Sequence, residues 1–133
     1  MKLVLSELRS RDLYLKYFRT SERLIFKPLS RRDFVRHSNH LFVVQADYSR
    51  LAGGRANLMR FLKSRGISTQ VHYMPIYRHP YYSGVREHEK FCPSAEQYYR
   101  SCLSLPLFPD MTDSDVERVV YNLVDAQDKF LRE

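Results

Sequence analysis

Apolar residues recur at helical spacing near the start of the chain, with charged residues between them. Leu5, Leu8, Leu15 and Phe18 lie on one face of a helix that the pattern predicts over residues 3–19. Such a face needs a partner to cover it, and the sequence leaves open whether that partner belongs to the same chain.

A connector separates this helix from the rest of the chain. Pro28 and the polar residues 30–33 interrupt the apolar pattern, as turn-forming residues do. We therefore divide the chain into residues 1–36, an amphipathic helix with a basic connector, and residues 37–133, a compact domain.

Short apolar runs and helical stripes alternate through residues 37–133. A β-branched run predicts a buried strand, and Val116, Val119 and Leu123 belong to the buried stripe of a final helix. The predicted elements are a strand at 41–45, a helix that ends before Gly66, a strand over 67–76, a helix that begins at Pro93, an edge strand at 103–105 and a helix capped by Thr112.

The order of these elements predicts an α+β fold. Three short, mainly antiparallel strands form a small sheet, and the helices pack on one face of that sheet. Gly53 and Gly54 predict a turn before the second helix, because no Lys-Ser/Thr pair follows them as a phosphate-binding loop requires.

Two groups of candidate metal ligands favour structural roles. His37 and His40 precede a strand, where residues three apart face opposite sides, so a hydrogen-bonded role is favoured over a metal site. Cys92 and Cys102 lack the second pair that a zinc site needs, and we expect free thiols.

Composition is typical of one soluble globular domain. The chain has 133 residues, of which 44% are hydrophobic and 28% charged. Charged residues interrupt the apolar start too early for a signal peptide, so a cytoplasmic protein is expected. No apolar run approaches the roughly 18 residues of a membrane span.

The net charge of +7 is concentrated in residues 1–36, which hold ten Lys and Arg against four Asp and Glu. A basic end can contact nucleic acid, phosphates or an acidic partner, although a solvated helix face accounts for the same charge.

Hydrogen-bonding aromatic residues are concentrated in residues 66–82, and motifs in and around this stretch resemble a known family. The motifs are Gly66-Ile67-Ser68-x-x-Val71-His72-Tyr73-x-Pro75-Ile76-Tyr77, Ala95-Glu96-x-Tyr98-Tyr99 and Leu103-Ser104-Leu105-Pro106-Leu107, with His37-Ser38-x-His40-Leu41-Phe42 and Thr112-Asp113 in matching order. Together they resemble the C-terminal domain of DegT/StrS-type sugar aminotransferases over about residues 3–131. Members of this family use pyridoxal phosphate (PLP) to aminate keto-sugars carried on nucleotides. The likeness is greatest to the pseudaminic-acid member, which acts on a UDP-linked 4-keto-6-deoxy-N-acetylhexosamine.

The resemblance implies that residues around Pro75 line the substrate pocket in the cleft between two domains. By position, His72, Tyr77, Tyr73 and Arg78 are the expected substrate-binding residues. Their hydroxyl, imidazole and aromatic groups suit a sugar, a pyrophosphate and a flat base, and Arg78 suits a bidentate contact with phosphate. Alternation along a strand turns either His72 or Tyr73 towards the core. Loop anchoring or dimer contact is favoured for His79, Tyr81 and Tyr82.

The resemblance also implies that the catalytic lysine lies in a large domain that precedes these residues. The lysines of this chain stand in exposed-looking contexts, whereas a Schiff-base lysine needs a lowered pKa. No catalytic or cofactor-binding residue is therefore assigned here, PLP is expected only in the full-length enzyme, and the isolated chain is expected to be inactive. The implied partners are a nucleotide-sugar substrate, L-glutamate, the large PLP domain and a second subunit.

Two other functions fit parts of the sequence. A stand-alone basic module for a phosphorylated ligand or nucleic acid would use residues 1–36 and the tyrosine-rich loop, and salt-sensitive binding would favour it. A self-contained hydrolase using His72 or His79 lacks a nucleophile elbow or a paired acid motif. For the isolated chain we expect partial aggregation or non-native dimers through the apolar face of the first helix.

Overall fold

The computed structural model describes residues 2–21, 23–30, 34, 38–85 and 92–132, without the side chains of residues 2–6 and 83–85. In chain order its elements are α1 (Lys2–Thr20), β1 (Lys27–Pro28), β2 (Phe42–Gln45), α2 (Gly54–Ser64), α3 (Pro93–Ser101), β3 (Cys102–Leu105) and α4 (Asp113–Phe130). Short 3-10 helices lie at Tyr48–Arg50, Ile76–Arg78 and Pro80–Val85. The predicted α+β class is confirmed.

The three strands form an antiparallel sheet in the order β1-β2-β3. Phe42 pairs with Leu105 and Val44 with Leu103, so β2 and β3 run side by side over their whole lengths. Pro28 lies on the outer strand, where its missing N–H costs no ladder hydrogen bond. Lys27 and Pro28, which lie within the predicted connector, form β1.

Among the side chains described, the apolar face of α1 packs against the rest of this chain. Tyr14 is fully buried, and its ring stacks on Phe42 with centroids 4.6 Å apart. The Tyr14 hydroxyl donates a hydrogen bond of 3.0 Å to the Pro106 carbonyl. Phe18 joins the same cluster, 6.0 Å from Phe42. The question that the sequence left open is thus answered, since α1 packs into the core.

Polar contacts also join α1 to the start of α4. Arg9 Nη2 lies 2.6 Å from Asp113 Oδ2, and the Tyr17 hydroxyl donates to Glu117 Oε1 at 2.7 Å. The boundary predicted at residue 36 falls within residues 35–37, which lie outside the described residues, so the division into two segments stays a prediction.

Local signals at two helix ends act as predicted. Thr112 caps α4: its Oγ1 accepts from the Asp115 N–H at 3.2 Å, and Asp115 Oδ2 accepts from the Thr112 N–H at 2.9 Å. After α2, Gly66 adopts φ of +72°, and the Ile67 N–H donates to the Leu62 carbonyl at 2.9 Å. This left-handed residue ends the helix where the sequence predicts.

The predicted strand over residues 67–76 is reduced to one bridge. Gln70 exchanges both backbone hydrogen bonds with Ser104, at 3.1 and 2.8 Å. Two residues later a side chain takes over, because the Tyr98 hydroxyl donates to the His72 carbonyl at 3.1 Å. The chain then leaves β3 and enters the 3-10 helix Ile76–Arg78. Gln70 covers the outer side of β3, whose four residues are all buried.

Candidate functional site

The candidate site is built on residues 71–79, the segment that follows the bridge at Gln70. The segment lies against two supports, β3 at Ser104 and α3 at Glu96 and Tyr98. Its 3-10 helix has no buried residue and no side-chain cap. Polar side-chain contacts, rather than burial in the core, therefore set the position of this helix.

His72 is half-buried and is oriented by β3. Its Nδ1 lies 2.8 Å from Ser104 Oγ, and Ser104 itself is buried. The peptide bond between His72 and Tyr73 is cis. The hydrogen bond at Nδ1 sets the ring plane and leaves Nε2 as the nitrogen that can meet a ligand.

Tyr73 turns outward from His72. Its side chain is 73% exposed, and the two rings meet edge to face with centroids 4.7 Å apart. The expectation that one of this pair faces inward is met, with His72 inside and Tyr73 outside. The exposed aromatic face of Tyr73 is available for stacking.

Tyr77 and Arg78 converge on one carboxylate. Glu96 Oε1 accepts from the Tyr77 hydroxyl at 2.9 Å and from Arg78 Nε at 2.8 Å, while Oε2 accepts from Arg78 Nη2. Arg100 Nε lies 3.6 Å from the same Oε2. Glu96 is only 6% exposed, so this carboxylate is a buried charge that its partners compensate.

These contacts change the acidity of both partners. The Arg78 hydrogen bond, followed by that of Tyr77, holds the pKa of Glu96 below its usual value despite partial burial. Desolvation and then the hydrogen bond to Glu96 raise the pKa of Tyr77 to about 12. At neutral pH the pair is therefore an ionised carboxylate and a neutral phenol.

A stack of arginine and tyrosine side chains braces the junction of α3 and β3. Arg55 and Arg78 both lie over the Tyr99 ring, at 5.1 and 5.4 Å from its centroid. Arg55 Nη1 also donates to the carbonyls of Tyr99 and Cys102. Through Tyr99, the segment at Arg78 is tied to α2 as well as to α3.

A groove with a cavity volume of about 980 Å³ lies beside this cluster, between the β2 end and α3. Lys27, Gln45, Asp47 and Arg100 contribute polar groups to it. Of the residues described, none of the four predicted substrate-binding residues lines this groove, and Glu96 is what the groove and the candidate site share.

The structure brings the predicted residues together in two pairs. Tyr77 and Arg78 meet on Glu96, and His72 and Tyr73 contact each other. In this structure the Arg78 fork binds Glu96, and its contact with a phosphate stays a prediction.

Sequence reasoning assigned no role to Glu96 or Ser104, although both stand in the quoted motifs. The sequence signal for Glu96 is an acidic residue in the first turn of the helix that begins at Pro93. The same signal is explained equally well by a favourable interaction with the helix dipole.

The residues described here do not fit the covalent attachment of PLP. A Schiff-base lysine is desolvated or otherwise lowered in pKa. The four lysine side chains that the structure describes, Lys16, Lys27, Lys63 and Lys129, are all exposed. None of these four lysines is therefore placed to form a Schiff base with PLP.

Neither a metal-ligand cluster nor a membrane-spanning helix is present within the described ranges. No group of three or more His, Cys, Asp or Glu side chains is placed there to hold a metal ion. None of the helices described is long and apolar enough to cross a membrane. Cys92 and Cys102, both described, are free thiols as predicted.

Comparison with known proteins identifies the family to which this chain belongs. Residues 8–124 match the model of the DegT/DnrJ/EryC1/StrS aminotransferase family. The chain belongs to that family.

Relatives and solved structures extend the comparison. The chain is 40% identical over 89 residues to SpsC, a spore coat polysaccharide biosynthesis protein of Bacillus subtilis, which covers 64% of this chain and 22% of SpsC. The PLP form of Spr1654 from Streptococcus pneumoniae superposes with a TM-score of 0.82 at 22% identity, over 96% of this chain and 32% of that one. For PseC, a Helicobacter pylori aminotransferase of pseudaminic acid biosynthesis, the TM-score is 0.78 at 23% identity, over 96% and 33%.

The two structural matches show the fold alone, and the family match carries the membership. The chain spans between about a fifth and a third of the length of these proteins. One of these solved structures, that of Spr1654, is a PLP form.

Proposed function

We propose that this chain is the C-terminal small domain of a PLP-dependent enzyme that aminates a nucleotide-linked 4-keto-sugar. Membership of the aminotransferase family supports the reaction class. The observation that carries the substrate side is the segment at residues 72–78, whose His72 and Tyr73 present polar and aromatic groups from a braced support.

In this proposal the chain's own residues bind and orient the substrate. His72 Nε2 meets a sugar hydroxyl or phosphate oxygen, since Nδ1 is held by Ser104. The exposed ring of Tyr73 stacks on a sugar face or a base. Tyr77 and Arg78 contact Glu96 of α3, lie beside His72 and Tyr73, and complete the wall of the pocket.

The remaining parts of the reaction are assigned to a large domain. We propose that this domain supplies the lysine and holds PLP, whose chemistry when bound is to carry the amino group between L-glutamate and the keto-sugar. The whole enzyme is proposed to be a cytoplasmic homodimer. A UDP-linked hexosamine of pseudaminic or related nonulosonic acid synthesis is the proposed substrate, consistent with the overlap of fold with PseC.

The test begins with the coding sequence upstream of Met1, where we expect an open frame for a PLP-lysine domain. The continuous protein should aminate a UDP-4-keto-hexosamine with L-glutamate as donor. His72→Ala and Tyr77→Phe should raise the KM for the sugar nucleotide, while the matched change Tyr121→Phe, on exposed α4 surface, should not. Unchanged kinetics in both site variants would contradict the pocket assignment.

The alternative function, a basic binding module, is tested by measuring RNA binding to the same protein. Part of the charge of α1 is already neutralised, since Arg9 pairs with Asp113 and Arg11 Nη1 lies 2.9 Å from Asp12 Oδ1. Binding of generic RNA that weakens steeply with salt would favour that module, and its absence would favour the aminotransferase.

A further inference from the structure

We infer that Glu96 is a positioning residue for the substrate-facing segment. Its buried carboxylate holds Tyr77 and Arg78 against α3 and thereby sets where His72 and Tyr73 present their side chains. This inference rests on the proposed function for its effect on substrate, but its structural part is independent of that function.

The Glu96 carboxylate is held in a defined geometry by Arg78. Both Glu96 oxygens accept hydrogen bonds, and Arg78 reaches them through Nε and Nη2 in the forked arrangement that matches a carboxylate. The Arg78 side chain is 29% exposed and that of Glu96 only 8%. A charged pair shielded from water in this way has a defined geometry.

The Glu96–Arg78 pair supports the 3-10 helix Ile76–Arg78. The 3-10 helix Ile76–Arg78 has no buried residue, and Ile76 is 67% exposed. Burial of apolar side chains therefore does not hold this helix down. Contacts with α3 do, and Glu96 provides two of them on consecutive residues, Tyr77 and Arg78.

The 3-10 helix Ile76–Arg78 is directly connected to His72 and Tyr73, the residues proposed to face the substrate. Pro75 joins the 3-10 helix to Met74 and Tyr73, and the Arg78 N–H donates to the Pro75 carbonyl at 2.9 Å. On the other side, the Tyr98 hydroxyl of the same helix α3 holds the His72 carbonyl. Residues 72–78 are thus fixed to α3 at both ends.

Both Glu96 oxygens are occupied by side chains of this chain, and the Glu96 side chain is only 8% exposed. It acts through Tyr77 and Arg78, and so it is not a catalytic residue. Its removal should move the segment rather than delete a ligand contact.

The experiment has one arm on the 133-residue chain and one on the complete enzyme. In the chain, NMR follows the Tyr77 ring and the Arg78 Nε–H. In wild type the Nε–H signal should be protected from exchange and Tyr77 should titrate near pH 12. In Glu96→Gln protection should fall at least tenfold and the Tyr77 pKa should move towards 10, stopping short because burial remains.

A matched control lies elsewhere in the same chain. Glu117 accepts a hydrogen bond from the Tyr17 hydroxyl at 2.7 Å, a second tyrosine–glutamate pair that does not touch residues 72–78. Glu117→Gln should leave the Tyr77 and Arg78 signals unchanged. An identical response to both substitutions would show a general loss of stability and overturn the inference.

In the complete enzyme, Glu96→Gln should raise the KM for the UDP-sugar about tenfold, the usual effect of weakening a charge-assisted hydrogen bond, with the KM for L-glutamate unchanged. The double variant Glu96→Gln/Tyr77→Phe should raise the KM for the UDP-sugar by less than the product of the two single increases, since both substitutions act through one contact. The Arg78→Lys variant should not have the wild-type KM for the UDP-sugar, because lysine lacks the forked guanidinium group.

The outcomes separate the two proposals. An inactive wild-type enzyme would refute the proposed function and leave the NMR arm to decide the role of Glu96. An active wild type with an unchanged UDP-sugar KM and unchanged Tyr77 and Arg78 signals in Glu96→Gln would refute the inference alone.

Discussion

Ser104 illustrates how one buried polar residue serves both the sheet and the site. Its backbone exchanges hydrogen bonds with Gln70, and its hydroxyl meets His72 Nδ1. It is 4% exposed, so its hydroxyl must find a partner inside the protein. The imidazole is that partner, and its ring orientation follows from the strand.

Ser104→Ala should release the His72 ring without disturbing the strand, because the backbone hydrogen bonds remain. We expect stability to fall by about 1 kcal/mol, as for one lost hydrogen bond, and the ring to lose its preferred tautomer. The ¹⁵N shifts of the imidazole measure this. Ser101→Ala removes a hydroxyl that bonds Gln45 instead, and it should leave those shifts unchanged.

Acid should detach the segment at Tyr77 from α3. The pKa of Glu96 is lowered in the folded protein, chiefly by Arg78. The ionised carboxylate therefore stabilises the fold at pH values above its ordinary pKa of about 4.5. That contribution is lost as the pH falls through the lowered pKa. The Tyr77 ring shifts should therefore change in strongly acid solution, while those of Tyr121 on α4 report only global unfolding. A simultaneous change at both residues would contradict local detachment.

At the scale of elements, the helices begin and end where short-range signals place them, whereas the strands depend on partners. The capping box at Thr112 and the left-handed Gly66 act within a few residues of each helix end. The strand predicted over residues 67–76 is reduced to one bridge, and beyond it the His72 carbonyl accepts from the Tyr98 hydroxyl rather than from a strand. That contact joins residues 26 positions apart, so strand propensity does not reveal it.

Thr112→Ala should destabilise the domain by about 1 kcal/mol, because the Asp115 N–H loses its acceptor at the start of α4. Thr112→Ser keeps the hydroxyl and should retain most of the stability. Urea unfolding monitored by circular dichroism distinguishes the two variants. Equal midpoints for Thr112→Ala and wild type would show that the box contributes nothing.

At the scale of the whole molecule, several large apolar side chains of the described residues are exposed to solvent. Tyr14 and Phe18 of α1 are buried, but the side chains of its residues 2–6 lie outside those described, so association through this helix stays a prediction. Tyr73, Ile76 and Tyr81, which lie near one another in the chain, are exposed, and Phe34 and Tyr121 are exposed elsewhere. A segment with such residues is suited to contact another surface.

Self-association of the isolated chain should therefore depend on residues 73–81. We expect Ile76→Ser combined with Tyr81→Ser to reduce concentration-dependent light scattering, because both side chains lie outside the core. Tyr121→Ser, which removes an exposed tyrosine from α4, should leave the scattering as it is. A monodisperse wild-type chain at high concentration would contradict the prediction.

The sequence by itself determined the elements whose signals are local. The helical stripe of α4, its cap at Thr112, the stop at Gly66 and the buried run of β2 were all predicted from a few neighbouring residues. The motifs around His72 also indicated the family, which the match over residues 8–124 confirms.

Only the tertiary structure decided which side chains meet. Glu96 lies 19 residues from Tyr77, and Ser104 lies 32 residues from His72. Their contacts depend on how α3 and β3 pack, and the same packing brought α1 into the core against Phe42. A carboxylate reads in sequence as a solvated charge, and burial between two partners is what makes Glu96 a support for the site.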